Sequence, residues 1–159
     1  MKNVAVILVI LFAMIISSYA GDSNNMKAPM PAILANALRV AKVKDKPIFM
    51  IVCDPDHRGT SEELNKSFKT SYGGLVDKNF ILISVKSDTK GIEQNIPGYE
   101  FYGVWLVVVI TPDRKIISSE KLYPDRKDTK SRIEEYINMW NDFKKNRDAT
   151  NVVNKTSEN

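Results

Sequence analysis

Thiol and imidazole side chains are scarce in this sequence, which has one cysteine, Cys53, and one histidine, His57, among 159 residues. A single cysteine excludes any disulfide within the chain, so the fold must rest on its hydrophobic core. Protein metal sites usually need three or four converging ligands, and the loop around His57 supplies only loosely spaced candidates. The sequence therefore predicts no metal site and no bound cofactor.

Charge of one sign is not concentrated anywhere along the chain. There are 23 Lys and Arg against 19 Asp and Glu, and the formal net charge is +4. The basic residues form no stripe, and the aromatic residues are not interleaved with them as a nucleic-acid surface requires. A nucleic-acid partner is therefore not expected.

Only one apolar run is long, and it lies at the start of the chain. Val4–Ile16 is an unbroken run of 13 apolar residues after Lys2, followed by small residues at 18 and 20. This is the pattern of a cleaved secretory signal, whereas an uncleaved membrane anchor would need about 20 apolar residues. We expect a secreted or periplasmic protein with no stable membrane insertion after cleavage. The expected segments are a signal peptide (1–20), a flexible leader (21–30), one domain (31–145) and a disordered tail (146–159).

Hydrophobic periodicity within the domain predicts alternating helices and strands. The first half should have a helix from Pro31, a strand at 48–53, and a helix opened by a Thr60–Glu63 capping box and ending by Gly73-Gly74. A strand from Phe80, a loop or short helix at 92–96, a strand at 105–110 and a return strand with the sequence KIISSE should follow. The last element should be a helix from Thr129 to Lys144 with a Ser131–Glu134 capping box. Strands joined by a helical crossover should be parallel, and the closing hairpin should be antiparallel. The predicted fold class is α/β, with a four-stranded mixed sheet and helices on both faces.

This element order, with KPIFMIV early and WLVVVITPDRKI late, resembles the thioredoxin-like superfamily over roughly residues 31–144. In redox-active members, the resemblance implies a Cys-x-x-Cys motif at the N-terminus of the helix after the first core strand, where a thiolate is stabilised. That position falls near His57-Arg58-Gly59-Thr60, which contains no cysteine. A second family landmark, a cis-proline before the third strand, falls at Val104 or Trp105, where we expect a trans peptide. One thiol cannot cycle between dithiol and disulfide, so dithiol redox activity is excluded.

Two groups of residues near the missing motif are candidates for a binding surface. In the turn after the first strand these are Asp54, Asp56, His57 and Arg58, and in the loop before the third strand they are Tyr99, Phe101, Tyr102 and Trp105. The aspartates also suit an ordinary turn, in which their side chains bond nearby backbone N–H groups. Some of the aromatic rings are expected to pack in the core. The others are candidates for binding, because exposed aromatic side chains are favoured interface anchors.

The leading hypothesis is an exported thioredoxin-like protein without dithiol redox activity that binds a protein or peptide partner. The sequence favours a protein that is not an enzyme. The alternative is a monothiol oxidoreductase that forms mixed disulfides or thiol adducts through Cys53, with His57 nearby. A buried, inert Cys53 would instead serve as a small apolar core residue.

Overall fold

The structure, a computed structural model, describes residues 28–56 and 58–156. Its elements in chain order are α1 (Ala32–Lys44), β1 (Ile48–Cys53), α2 (Arg58–Asn79), β2 (Ile81–Lys86), α3 (Ile92–Asn95), β3 (Trp105–Ile110), β4 (Ile116–Glu120) and α4 (Thr129–Thr156). The predicted signal peptide, residues 21–27 of the leader, and His57 lie outside the described residues. In the described part, no helix has the length and apolar character that crossing a membrane requires.

The four strands form one mixed sheet in the order β2-β1-β3-β4. The pair β1–β2 is parallel, while β1–β3 and β3–β4 are antiparallel. The predicted α/β class, the mixed sheet, the parallel crossover and the antiparallel hairpin are all confirmed. The arrangement is consistent with a thioredoxin-like one.

Helices cover both faces of the sheet, because β1 and β3 are continuously apolar and send alternate side chains to opposite faces. On one face, Met50 and Val108 pack with α1 residues such as Leu34. On the other face, Phe49 packs with α2 and α4 residues such as Phe68. The core therefore consists of two apolar layers separated by the sheet.

Helix α2 differs from its prediction at both ends. It begins at Arg58, so Thr60 is a helical residue and not the cap of the predicted capping box. It also continues through Gly73-Gly74 to Asn79. Glycine within a helix costs only about 1 kcal/mol relative to alanine. Burial of Val76 after the glycines outweighs that cost.

Helix α4 is longer than predicted. It begins at Thr129 as expected, which places Ser131 inside the first turn and not at the cap position. It then continues past Lys144 to Thr156, so the structure places residues 146–156 in a helix where the sequence predicted a disordered tail. Arg147 in this extension bonds Asp45 at the end of α1 at 3.1 Å, which ties the extension to the domain.

Candidate functional site

The candidate site lies at the edge of the sheet where β1 ends and β3 begins. Cys53 pairs with Trp105 across the two antiparallel strands. One residue further, the Asp54 N–H donates to the Val104 carbonyl at 2.8 Å. The turn after β1 and the aromatic loop before β3 are therefore adjacent, as the sequence predicted.

The turn after β1 is held by its own aspartate. The Asp54 carboxylate accepts a hydrogen bond from the Asp56 N–H at 2.9 Å, which is the geometry of an Asx turn. The predicted turn role is confirmed for Asp54. Asp56 is exposed, and Arg58 begins α2.

Cys53 belongs to the core and not to the surface of this edge. Its side chain is 1% exposed and packs with the layer between the sheet and α2 and α4. Its carbonyl accepts a hydrogen bond from the Ser87 N–H at 2.8 Å, which continues the pairing with β2. The thiol therefore lies away from solvent, as the core-packing interpretation requires.

The aromatic loop splits between the two faces of the sheet. Tyr99 is 6% exposed and packs with the α1 layer, where half-buried Phe101 joins it. Trp105 is 7% exposed and packs with the opposite layer. Tyr99 and Trp105 were predicted as binding residues, and their burial removes both from the surface that a partner can touch.

Tyr99 is buried together with its polar end. Among the described residues, its hydroxyl has no hydrogen-bond partner. Burial, with a smaller contribution from the Glu93 carboxylate, raises the pKa of Tyr99 to about 12. Tyr99 is therefore a neutral core residue at physiological pH.

Three large apolar side chains are exposed at this end of the molecule: Tyr102 at 50%, Val104 at 39% and Tyr123 at 41%. We call this set the exposed apolar edge. The Tyr123 ring meets Trp105 edge to face, with ring centroids 4.8 Å apart. The Tyr102 hydroxyl donates to the Ser119 carbonyl at 3.2 Å. Buried Trp105 and half-buried Ser119 thus contact the two rings of the edge.

Sequence reasoning found Tyr102 but missed Val104 and Tyr123 as exposed members of this edge. Tyr123 is 18 positions after Trp105 in the chain. The predicted β3–β4 hairpin was a usable signal, because pairing of the two strands returns the chain from Glu120 to the start of β3. Extending that register by a few residues places Tyr123 near Trp105.

Gly103 gives the loop its tight path between Tyr102 and Val104. Its φ of +86° is in the left-handed region, where side chains are disfavoured. A Cβ atom at this position would lie 2.6 Å from the Lys121 Nζ atom. The glycine therefore supplies the left-handed backbone conformation that this path of the loop requires.

A polar network fixes the end of β4 beside the exposed apolar edge. The Glu120 carboxylate accepts hydrogen bonds from the Tyr136 hydroxyl, from Arg132 at 2.5 Å and from the Ser118 hydroxyl at 3.3 Å. Burial acts to raise the pKa of Glu120, but the bonds from Tyr136 and Arg132 outweigh it and lower that pKa. Burial and the bond to Glu120 raise the pKa of Tyr136. The network holds a carboxylate and not a carboxylic acid.

Among the residues that the structure describes, no group of three His, Cys, Asp or Glu side chains could hold a metal ion. All described peptide bonds are trans, including the bond before Trp105. No protein-family model matches the chain, and no curated protein and no solved structure matches it either.

Proposed function

We propose that this protein is an exported, thioredoxin-like domain without dithiol redox activity, which binds a protein or peptide through the exposed apolar edge. The edge consists of Tyr102, Val104 and Tyr123, with the turn of Asp54 and Asp56 beside it. This surface replaces the one expected from the sequence, since Tyr99 and Trp105 are buried.

The observation that carries the proposal is the exposure of three apolar side chains on a rigid base. Tyrosine offers a large contact area at a low cost in conformational entropy, because it has only two rotatable side-chain torsions. Tyr123 is held against Trp105, and Tyr102 is held by its bond to Ser119. A surface that is ordered before binding loses less entropy when the partner docks.

Two features support the absence of dithiol chemistry. The chain has one cysteine, and a dithiol cycle needs two. That one thiol is 1% exposed within an apolar layer, and reactive cysteines are partly exposed in electropositive surroundings. Burial therefore also disfavours the monothiol alternative.

Export is part of the proposal and is supported by the sequence alone. The apolar run Val4–Ile16 and the small residues that follow it match a cleavable signal. The expected location is secreted or periplasmic. The partner would then be an exported protein or peptide.

The test is capture of partners from an exported-protein extract of the source cells by immobilised protein. We expect the paired substitution Tyr102→Ser and Tyr123→Ser to reduce specific capture by about tenfold or more, as loss of an aromatic hot spot does. The matched control is Val43→Ser with Met139→Ser, which removes two apolar side chains that are also exposed, but on α1 and α4. Equal capture by the folded tyrosine variant and the wild type would refute the proposed surface.

A further inference from the structure

A basic cavity of about 210 Å³ lies at the opposite end of the sheet, where β1 begins. The ends of α1 and α2 and the middle of α4 enclose it. Its lining residues include an apolar group, Pro47, Ile137 and Trp140, and four lysines, Lys44, Lys46, Lys78 and Lys144. Pro47 and Trp140 are buried, while Lys44 and Lys78 are exposed. The cavity thus combines an apolar wall with a cationic rim.

The charge balance in this basic cavity is positive. Asp45 is the only carboxylate among the described lining residues, against four ammonium groups. Asp45 is already paired with Arg147 at 3.1 Å and lies 3.9 Å from Lys144. The C-termini of α1 and α2 add roughly half a negative charge each. Subtracting Asp45 and these two half charges from the four ammonium groups leaves about two positive charges to attract an anion.

Helix stabilisation alone does not account for this arrangement. Lysines near a helix C-terminus favour the helix, which is sufficient for Lys44 and Lys78. Lys46 donates to the Asp77 carbonyl at 3.1 Å and so satisfies a group near the end of α2. Lys144 lies in the interior of α4, with its Nζ atom 3.9 Å from the Asp45 carboxylate and 5.6 Å from the Trp140 ring centroid. Lysines from three helices and from the loop after α1 therefore line one cavity.

The apolar wall indicates an anion that carries an organic part. Trp140 is 4% exposed, stacks on Phe143 with ring centroids 5.6 Å apart and has the Lys144 and Arg147 cations over its ring, so its contribution to the wall is a small part of a fixed ring. Drug-sized ligands occupy cavities of about 300–1,000 Å³, so this cavity suits a smaller molecule. Phosphate groups are strong acceptors for lysine ammonium groups.

We propose that the basic cavity binds a small phosphate monoester, with its phosphate paired to the lysines and its organic part packed against Trp140. The site is independent of the exposed apolar edge, since it lies at the other end of β1. Either a free ester or the headgroup of phosphatidic acid carries this chemistry.

The test is titration of the full-length protein with phenyl phosphate at constant ionic strength, followed by NMR of the two tryptophan indole N–H groups. We expect a saturable shift for Trp140, which lines the cavity, and none for Trp105, which lies at the other end of the sheet. Inorganic phosphate should bind more weakly, because it has no organic part to contact Trp140. The paired substitution Lys44→Gln and Lys78→Gln should weaken phenyl phosphate binding by about tenfold or more, since charge-assisted hydrogen bonds are lost.

The matched control is Lys86→Gln with Lys90→Gln, which removes the same charge from exposed residues near the other end of the sheet. Its affinity should stay within about twofold of wild type. Equal weakening of phenyl phosphate binding in both paired variants would show diffuse electrostatic attraction and overturn the site. An absent Trp140 shift would also overturn it, and so would binding of inorganic phosphate as tight as that of phenyl phosphate. If circular dichroism shows that the Lys44→Gln and Lys78→Gln variant is unfolded, the single substitution Lys78→Gln provides the same comparison.

Vesicles of phosphatidic acid in phosphatidylcholine distinguish the two sources once phenyl phosphate binding is established. If the ligand is a lipid headgroup, the Lys44→Gln and Lys78→Gln variant should bind vesicles more weakly than wild type, and the Lys86→Gln and Lys90→Gln control should not. A free ester predicts equal vesicle binding by the two pairs. Each result assigns the source of the ester.

Discussion

Glu120 joins the last strand to the last helix through its bonds to Tyr136 and Arg132. Its neighbours along the chain lead directly to Tyr123, so the network also fixes part of the exposed apolar edge. The hydrogen bonds lower the pKa of Glu120 from its ordinary value of 4.5, despite the opposing effect of burial. Folding therefore favours the charged form of this side chain.

Glu120→Gln should lower the free energy of unfolding by about 1–2 kcal/mol at pH 7, because charge-assisted bonds are weakened. The pKa of Glu120 is lower in the folded state than in the unfolded state. Its contribution is therefore present above the unfolded pKa and is lost as the pH falls through the folded pKa. Urea unfolding between pH 3 and 7 should show the stability difference between wild type and variant shrinking below about pH 4.5, the ordinary pKa of this carboxyl group.

The control for this prediction is Glu134→Gln, which removes the exposed Lys130–Glu134 pair at 3.8 Å. Exposed pairs contribute about 0–1 kcal/mol, so the control should change stability little. A Glu120→Gln effect as small as that of the control, or one that is independent of pH, would contradict the role assigned to the network.

Cys53 should react with a disulfide reagent only after denaturation, since its side chain is 1% exposed. The Val43→Cys variant supplies the comparison, because Val43 is 80% exposed and a thiol there should be labelled at once in the native state. The measurement is the number of thiols titrated per chain before and after denaturant. Rapid native labelling of Cys53 in the wild type would revive the monothiol alternative.

The aromatic loop shows where prediction of the site stopped. The sequence predicted Tyr99 and Trp105 beside the turn after β1, and Trp105 does pair with Cys53 at the end of that strand. It did not separate buried rings from exposed ones, because a loop has neither the helical nor the strand period that assigns faces. Exposure of Tyr102 and burial of Trp105 depend on contacts with Ser119 and Tyr123, which lie far along the chain.

At the scale of elements, the strands were predicted more closely than the helices. The continuous apolar runs of β1 and β3 allow only a sheet covered on both faces. The end of α2 was misplaced at Gly73-Gly74, because a glycine pair is a common helix stop and the stabilising burial of Val76 depends on tertiary packing. Tertiary packing therefore determined the end of α2 more strongly than local helix propensity did.

Gly74→Ala should stabilise the protein by about 0.5–1 kcal/mol, because alanine favours a helix and loses less conformational freedom on folding. A Cβ atom at this position meets no heavy atom within 4 Å. Thermal unfolding by circular dichroism measures the effect.

Gly91→Ala is the contrasting substitution. Gly91 has a φ of +90°, and a Cβ atom there would lie 2.3 Å from the Pro29 carbonyl oxygen. This variant should be clearly destabilised. A Gly74→Ala protein that loses stability would contradict the continuous helix.

At the scale of the whole molecule, the sheet separates two ends with different surfaces. The end where β1 finishes has the exposed apolar edge, and the end where β1 starts has the basic cavity. The predicted fold class was enough to locate the candidate site at the end where β1 finishes. The basic cavity escaped prediction, because its lysines lie on three helices and one loop that only the folded chain brings together.

The most direct test of the proposed binding surface is photo-crosslinking at single positions. A benzophenone side chain would replace Tyr102 in one variant and Met139 in another, two positions with similar exposure of 50% and 42%. After irradiation in an exported-protein extract, we predict crosslinked partners from position 102 and none from position 139. Crosslinks from position 139 alone, or equal products from both positions, would contradict partner binding at the exposed apolar edge.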